Sequence, residues 1–232
     1  MAMYRHTVQK RARILTRAEF NHVFKVASLT RDPERNQLLL CLSHALGLRV
    51  SEMARLTVRD VLFPTGRIRD ELTLRAEITK YNRTRTVPIS SKRLIGALDT
   101  YLEHRITLGI GAVPQESAAY RGLAPDLPLI FSGRGTGFAL IGKKRLLETG
   151  VIETYLACDP LEDLFRRLYR SAGLRGASSH SGRRAYATRL MESGVDIETI
   201  SHLLGHAELD YTMPYLEVSV DSIRHAFTVA LF

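Results

Sequence analysis

The apolar residues of this chain change their spacing once, and that change limits the folds open to it. Between Val58 and Ile89 the apolar runs are short and β-branched (VLF, RIR, LTLRAEI, TRTVPI), with turn signals at Thr65-Gly66 and Asn82. On either side the pattern is helical. Thr16 followed by Glu19 has the form of a capping box and predicts a helix through Phe20, Val23 and Phe24. The charged stretch TRDPER (30–35) separates it from a strongly apolar helix, NQLLLCLSHALG (36–47), ended by Gly47. Ser51 starts a short helix that leads to Leu56, and helical spacing resumes over Lys92–Leu108. Residues 109–128 are a Gly/Pro-rich loop, LPLIFSG (127–133) is a short buried strand or extended entry, and 138–160 give no clear period. DPLEDLFRRLYRSAG predicts a helix with Asp159 as its cap, Pro160 in the first turn and Gly173 at the end. Further helices are expected at 180–193, 196–204, 208–217 and near 220–231. The expected fold class is therefore α+β: mainly α, with a small antiparallel β-sheet of two or three strands.

A chain of 232 residues fits one domain with small appendages. Residues 1–15, with Arg5, Lys10, Arg11 and Arg13, read as a basic arm, 16–219 as the main domain and 220–232 as a terminal helix. The net charge of +9 favours a polyanionic partner. Nucleic acid is the commoner reading. An anionic membrane surface competes, but no basic amphipathic stretch with bulky anchors stands out. No apolar run reaches the ~18 residues of a membrane span, and MAMYRHTVQKRARIL lacks the apolar centre of a secretory signal. Cys41 and Cys158 provide neither a disulfide framework nor a clustered metal site, which is simplest in a reducing cytoplasm.

Four short segments could carry chemistry, and each also has an ordinary reading. Arg49 stands at the mouth of an apolar helix and shares a helical face with Glu52, for which a plain surface ion pair is the ordinary reading. Lys80 precedes a turn with Arg83 and Arg85 beyond it, as groove contacts or as a solvated sheet edge. His180, Arg183 and Arg184 stand at a helix start. Two arginines there oppose the helix dipole unless an anion binds. His202, His206, Tyr211 and Tyr215 crowd one stretch near the end, as reactive groups or as packed side chains around a turn. Other signals fall away. GFALIGKK (137–144) has Lys144 where a nucleotide-binding loop needs Ser or Thr, and reads better as a basic turn. His202 and His206 have helical metal spacing without a third ligand, and no G-x-S-x-G elbow is present.

The order of these pieces is more specific than any one of them. GLRVSE with Arg49 and Glu52, Lys80 eight residues before Pro88, HSGRR with His180 and Arg183, LLGH with His206, and Tyr215 nine residues later together resemble the tyrosine recombinase (phage integrase) family over about residues 16–220. The resemblance implies that family's catalytic-domain fold and a site-specific recombinase. Such an enzyme cleaves DNA by tyrosine attack on a phosphodiester, leaves a 3′-phosphotyrosine, and rejoins a second strand in integration, excision or inversion of a mobile element.

Matched by position, Tyr215 is the nucleophile, Arg49 and Arg183 clamp the non-bridging oxygens, and Lys80 protonates the leaving 5′-oxygen. His180 manages the proton on the nucleophile, His206 hydrogen-bonds the phosphate, and Glu52 orients the site. Arg83, Arg85, Arg184, Lys143 and Lys144 are the expected DNA contacts. These residue types suit the chemistry. Planar guanidiniums answer charge growing on phosphate oxygens, a phenol with a pKa near ~10 needs a base or a cationic field, and an alkoxide leaves only if protonated. No cofactor, ATP or metal is required. The implied partners are double-stranded DNA and either further copies on it, from dimer to tetramer, or a partner recombinase, with no membrane and no small-molecule substrate. Two alternatives remain: a relaxing enzyme of type IB topoisomerase character, and a DNA-bound accessory protein that activates another recombinase.

The chain departs from the family pattern in three ways. Arg184 replaces a frequent histidine, and Pro214 stiffens the approach to Tyr215. Arg49 lies too near the start for the usual N-terminal domain, so a short form lacking it is expected. The tail carries Ile223, Ala226, Phe227, Ala230 and Leu231 at helical spacing. It docks either on a neighbouring protomer, as in the family, or on its own domain.

Overall fold

The computed structural model describes residues 11–79, 82–113, 118–146, 150 and 152–205. The helices expected at 208–217 and 220–231, and with them Lys80, His206, Tyr211 and Tyr215, lie outside the described residues.

Helix α1 (Arg17–Ala27) begins at the expected capping box: the Glu19 N–H donates to Thr16 Oγ1 at 3.2 Å, and the Thr16 N–H donates to the Glu19 carboxylate at 3.0 Å. Helix α2 (Pro33–Leu46) starts three residues earlier than its apolar run, because proline at the first position has its φ preset and no N–H to satisfy. Leu38, Leu39, Leu40, Cys41 and Leu42 are all buried, so this helix is enclosed on every side at the centre of the fold. Gly47 ends it in the left-handed region (φ +62), as its position predicts.

Helix α3 (Val50–Arg55) is followed by a short helix α4 (Val58–Val61), a correction to the reading of 58–89 as strands alone. Asp60 accounts for the difference. Its carboxylate accepts from the Thr57 N–H at 2.8 Å and the Thr57 hydroxyl at 2.9 Å, capping a turn that β-branched residues alone would not favour. Strands β1 (Glu71–Leu74) and β2 (Arg85–Pro88) then pair antiparallel, Leu72 opposite Val87 and Leu74 opposite Arg85.

Helix α5 (Lys92–Thr107) packs on α2. The 127–133 segment forms only isolated bridges, yet Leu129 and Ile130 are buried. It is held by Arg105, which donates to the carbonyls of Pro128 and Leu129 from a buried position. The unreadable stretch near 138–160 is a second antiparallel hairpin, β3 (Ile141–Leu146) and β4 (Ile152–Ala157). The residues Gly142 to Lys144 therefore lie in a strand, not in a basic turn. Helix α6 (Asp159–Ser171) has Cys158 at its N-cap, one residue before the expected Asp159. Helices α7 (Ser181–Glu192) and α8 (Ile197–Leu204) complete the described fold, with α7 against α2.

The part of the expected arm that is described is docked. Leu15 belongs to the core, the Arg13 N–H donates to the Gly176 carbonyl at 3.0 Å, and the Arg13 guanidinium pairs with Glu19. No helix among the described residues is long and apolar enough to cross a membrane.

Candidate active site

Three elements deliver side chains to one region, the N-terminus of α3, strand β2 and the N-terminus of α7, and the C-terminus of α8 adds a backbone carbonyl. Arg49 is the N-cap of α3. Its N–H donates to Glu52 at 2.9 Å and its Nη1 to the same carboxylate at 2.8 Å. The pair is far from the exposed ion pair of its ordinary reading, since the Glu52 side chain is 0% exposed and that of Arg49 17%. Glu52 also accepts from both terminal nitrogens of Arg85, at 2.9 and 2.6 Å. Burial pushes the Glu52 carboxyl up, but the guanidinium of Arg85, followed by Arg49 and Arg183, outweighs burial and holds it down at about 2.

Arg183 enters from α7. Its Nη1 donates to the Gly47 carbonyl at 2.7 Å, and its Nη2 donates to the Leu204 carbonyl. The conflict between arginine and helix dipole is thereby eased without an anion, for these two carbonyls sit at the C-termini of α2 and α8, where the dipole is negative. Arg49 Nη1 reaches the same Leu204 carbonyl at 3.4 Å. Arg49 and Glu52 thus meet Arg183, more than a hundred residues further along the sequence, at the end of the LLGH helix. Arg49 keeps an accessible edge, while Arg183 lies beneath the surface at 1% exposed.

His180 is the N-cap of α7, reachable by solvent but crowded by protein on its inner side. That crowding and the cations of Arg183 and Arg49 lower its pKa, so the imidazole is neutral at neutral pH, the form a proton acceptor needs. Nδ1 lies 3.2 Å from the Ser179 hydroxyl, which leaves Nε2 for chemistry.

Two of the expected DNA contacts are buried in the structure. Arg85 is 3% exposed and committed to Glu52; Arg184 is 4% exposed and donates to the Ala12 carbonyl. Arg83 and Lys144 are exposed, and Lys143 pairs with Asp159 at 2.6 Å. Sequence reasoning also missed the Leu204 carbonyl, which no side-chain motif encodes. The sequence carries one partial signal for the burial of Arg85, its two-residue spacing from the apolar Val87 and Ile89, which exposed Arg83 shares. A concavity of about 680 Å³ at the opposite end of α2, lined by Arg31, Arg35, Arg134, Phe138 and Arg167, shares no residue with the cluster.

The model of the phage integrase family matches residues 13–221. The chain belongs to that family. Tyrosine recombinase XerC of Pelobacter propionicus is 27% identical over 196 residues, covering 84% of this chain and 52% of the relative. A crystal structure of XerA recombinase shares the fold with a TM-score of 0.65 at 20% identity, over 99% of this chain and 66% of that one. The catalytic domain of bacteriophage HP1 integrase superposes with a TM-score of 0.51 at 19% identity, over 88% of this chain and 86% of that domain. The family member described here spans about half the length of the sequence relatives it matches. Its mostly helical fold with small antiparallel sheets is that of a tyrosine recombinase catalytic domain.

Proposed function

We propose that this phage integrase family member is a site-specific recombinase that cleaves and rejoins double-stranded DNA through a 3′-phosphotyrosine at Tyr215. The observation that carries the reading is the meeting of Arg49 and Arg183 at the carbonyl of Leu204, two residues before His206, with Glu52 bonded to Arg49 and His180 in the field of both cations.

In this reading the guanidiniums of Arg49 and Arg183 bind the non-bridging oxygens of one phosphate, and access to Arg183 requires the atoms that cover it to shift. Charge grows on those oxygens in the transition state, so donors already fixed by Glu52 and two helix ends stabilise it without reorganising. Neutral His180 takes the phenol proton of Tyr215. Tyr215 attacks phosphorus, the bond to the 5′-oxygen breaks, and Lys80 supplies that oxygen with a proton. His206 donates to the phosphate. The covalent phosphotyrosine keeps the ester energy for rejoining, which removes any need for ATP. Exposed Arg83 and Lys144, with Lys143, contact the DNA backbone.

Strand exchange joins copies of the chain on DNA, or one copy and a partner recombinase, with integration, excision or inversion of a mobile element in the cytoplasm as the outcome. Residues 220–232 dock on a neighbour in that assembly.

A nicked suicide substrate carrying the recombination site is expected to trap a covalent protein–DNA adduct, and Tyr215→Phe to trap none. An unmodified protein that binds this DNA but never forms the adduct would favour the accessory reading instead.

A further inference from the structure

Arg85 is a buried cation to which the steps of strand cleavage give no direct role. It opens β2, its side chain is 2% exposed, and its two terminal nitrogens fill one position on each oxygen of Glu52. The remaining positions on that carboxylate go to Arg49, through Nη1 and the backbone N–H. Arg85 also lies against the turn that ends α8. A Cβ placed on Gly205 would stand 2.8 Å from its Nη1 and 3.0 Å from its Cδ. One guanidinium thus touches the hairpin, helix α3 through Glu52, and the turn that carries the Leu204 carbonyl.

We propose that Arg85 is a positioning residue for strand cleavage: it fixes the Glu52 carboxylate and braces the α8 turn, so that Arg49 and Arg183 face the phosphate in one geometry. The inference rests on the strand-cleavage reading above. Its physical core is competition for Arg49. A buried carboxylate must be paired. With Arg85 present, Glu52 needs only one side-chain bond from Arg49, whose outer edge stays available. Without Arg85, the nearest remaining fork is Arg49 itself, which turns inward to fill the vacant oxygen and leaves the phosphate. Lysine cannot restore the arrangement, because a single ammonium does not match two carboxylate oxygens in one plane.

The test uses the full chain with Arg85→Met and Arg85→Lys, a suicide DNA substrate under single-turnover conditions, a gel shift for DNA affinity and a thermal melt for folding. Arg85→Met is expected to bind DNA as the unmodified protein does, but to form adduct about 100-fold more slowly, the cost of a small misplacement at a reacting centre. Arg85→Lys is expected to fall between the two. The acid limb of the rate profile should move to higher pH in Arg85→Met, because Glu52 without its main cation holds a proton more strongly. A purely structural residue would not move that limb. Glu52→Gln combined with Arg85→Met should be no slower than the slower single variant, since both act through one carboxylate. A folded Arg85→Met that forms adduct within about twofold of the unmodified rate, or losses that multiply in the double variant, would overturn the proposal. Where Arg85→Met does not fold, Arg85→Lys decides: an unmodified rate and an unmoved pH limb overturn it. If the unmodified protein forms no adduct, strand cleavage and this inference fall together. Adduct undiminished in the variants removes only the inference.

Discussion

Glutamine at position 52 preserves the outline of the glutamate and removes its charge. The carboxylate is wholly buried between Arg85 and Arg49, which hold its pKa at about 2 against an ordinary value of 4.5. At ~1.4 kcal/mol for each tenfold change in proton affinity, that gap corresponds to about 3 kcal/mol of folding stability. The folded value is the lower of the two. The stabilisation is therefore complete above pH 4.5 and is lost as pH falls towards 2. Glu52→Gln should cost about 3 kcal/mol at neutral pH, or about 6–12 °C in melting temperature for a domain of this size. At about pH 3 less than half of the difference should remain, because the unmodified carboxyl is by then losing the advantage of its charge. Urea unfolding followed by circular dichroism at both pH values measures the gap directly. A difference of equal size at neutral pH and at about pH 3 would refute the argument, since the cost would then come from shape and not from charge.

Three further substitutions probe the frame around the site. Gly182→Ala reverses the usual helix preference: its Cβ would lie 2.2 Å from Ser43 Oγ and 2.8 Å from the Ser43 backbone, so α7 must move off α2 at about 1–3 kcal/mol. A melting temperature at or above that of the unmodified protein would contradict that contact. Gly205→Ala meets both a φ of +63° and the Arg85 guanidinium, and should lower stability by about 1–2 kcal/mol while slowing adduct formation. Normal adduct rates would show that the α8 turn does not need its close fit on Arg85. His44 is buried, with Nε2 3.1 Å from the Tyr169 hydroxyl, and burial followed by the Arg189 cation lowers its pKa to about 3. Because the folded value lies below the ordinary 6.5, stability drains as pH falls from 6.5 towards 3, and His44→Gln should flatten the upper part of that decline, above the range where Glu52 titrates. An unchanged pH dependence of unfolding between 6.5 and 4.5 would place the acid sensitivity elsewhere.

Signals that act within one or two turns of chain were legible. Thr16 with Glu19, Gly47 after an apolar run, and Pro160 before LEDLFRRL each state a local requirement that no distant residue overrides. The β3–β4 hairpin was not legible, and its exposure explains why. Ile141, Leu146, Ile152 and Leu156 are all exposed, so no buried face imposed an alternating pattern. Asp60 misled in the other direction, because a cap that pairs with Thr57 and with the distant Arg75 turned β-branched residues into a helical turn.

At the site itself, sequence alone determined which side chains are present and in what order, because the reaction demands particular functional groups and the motifs hold them at local spacings. Only the tertiary structure decided their charge balance. A guanidinium looks the same in sequence whether it meets water, a phosphate or a carboxylate. Arg83 is exposed, whereas Arg85, two residues on, is buried against Glu52. Arg183 is steadied by carbonyls at the ends of two other helices, the next one in the chain and one more than a hundred residues away. Burial magnifies such pairings and water screens them; which arginines are buried is settled by how the helices and strands pack.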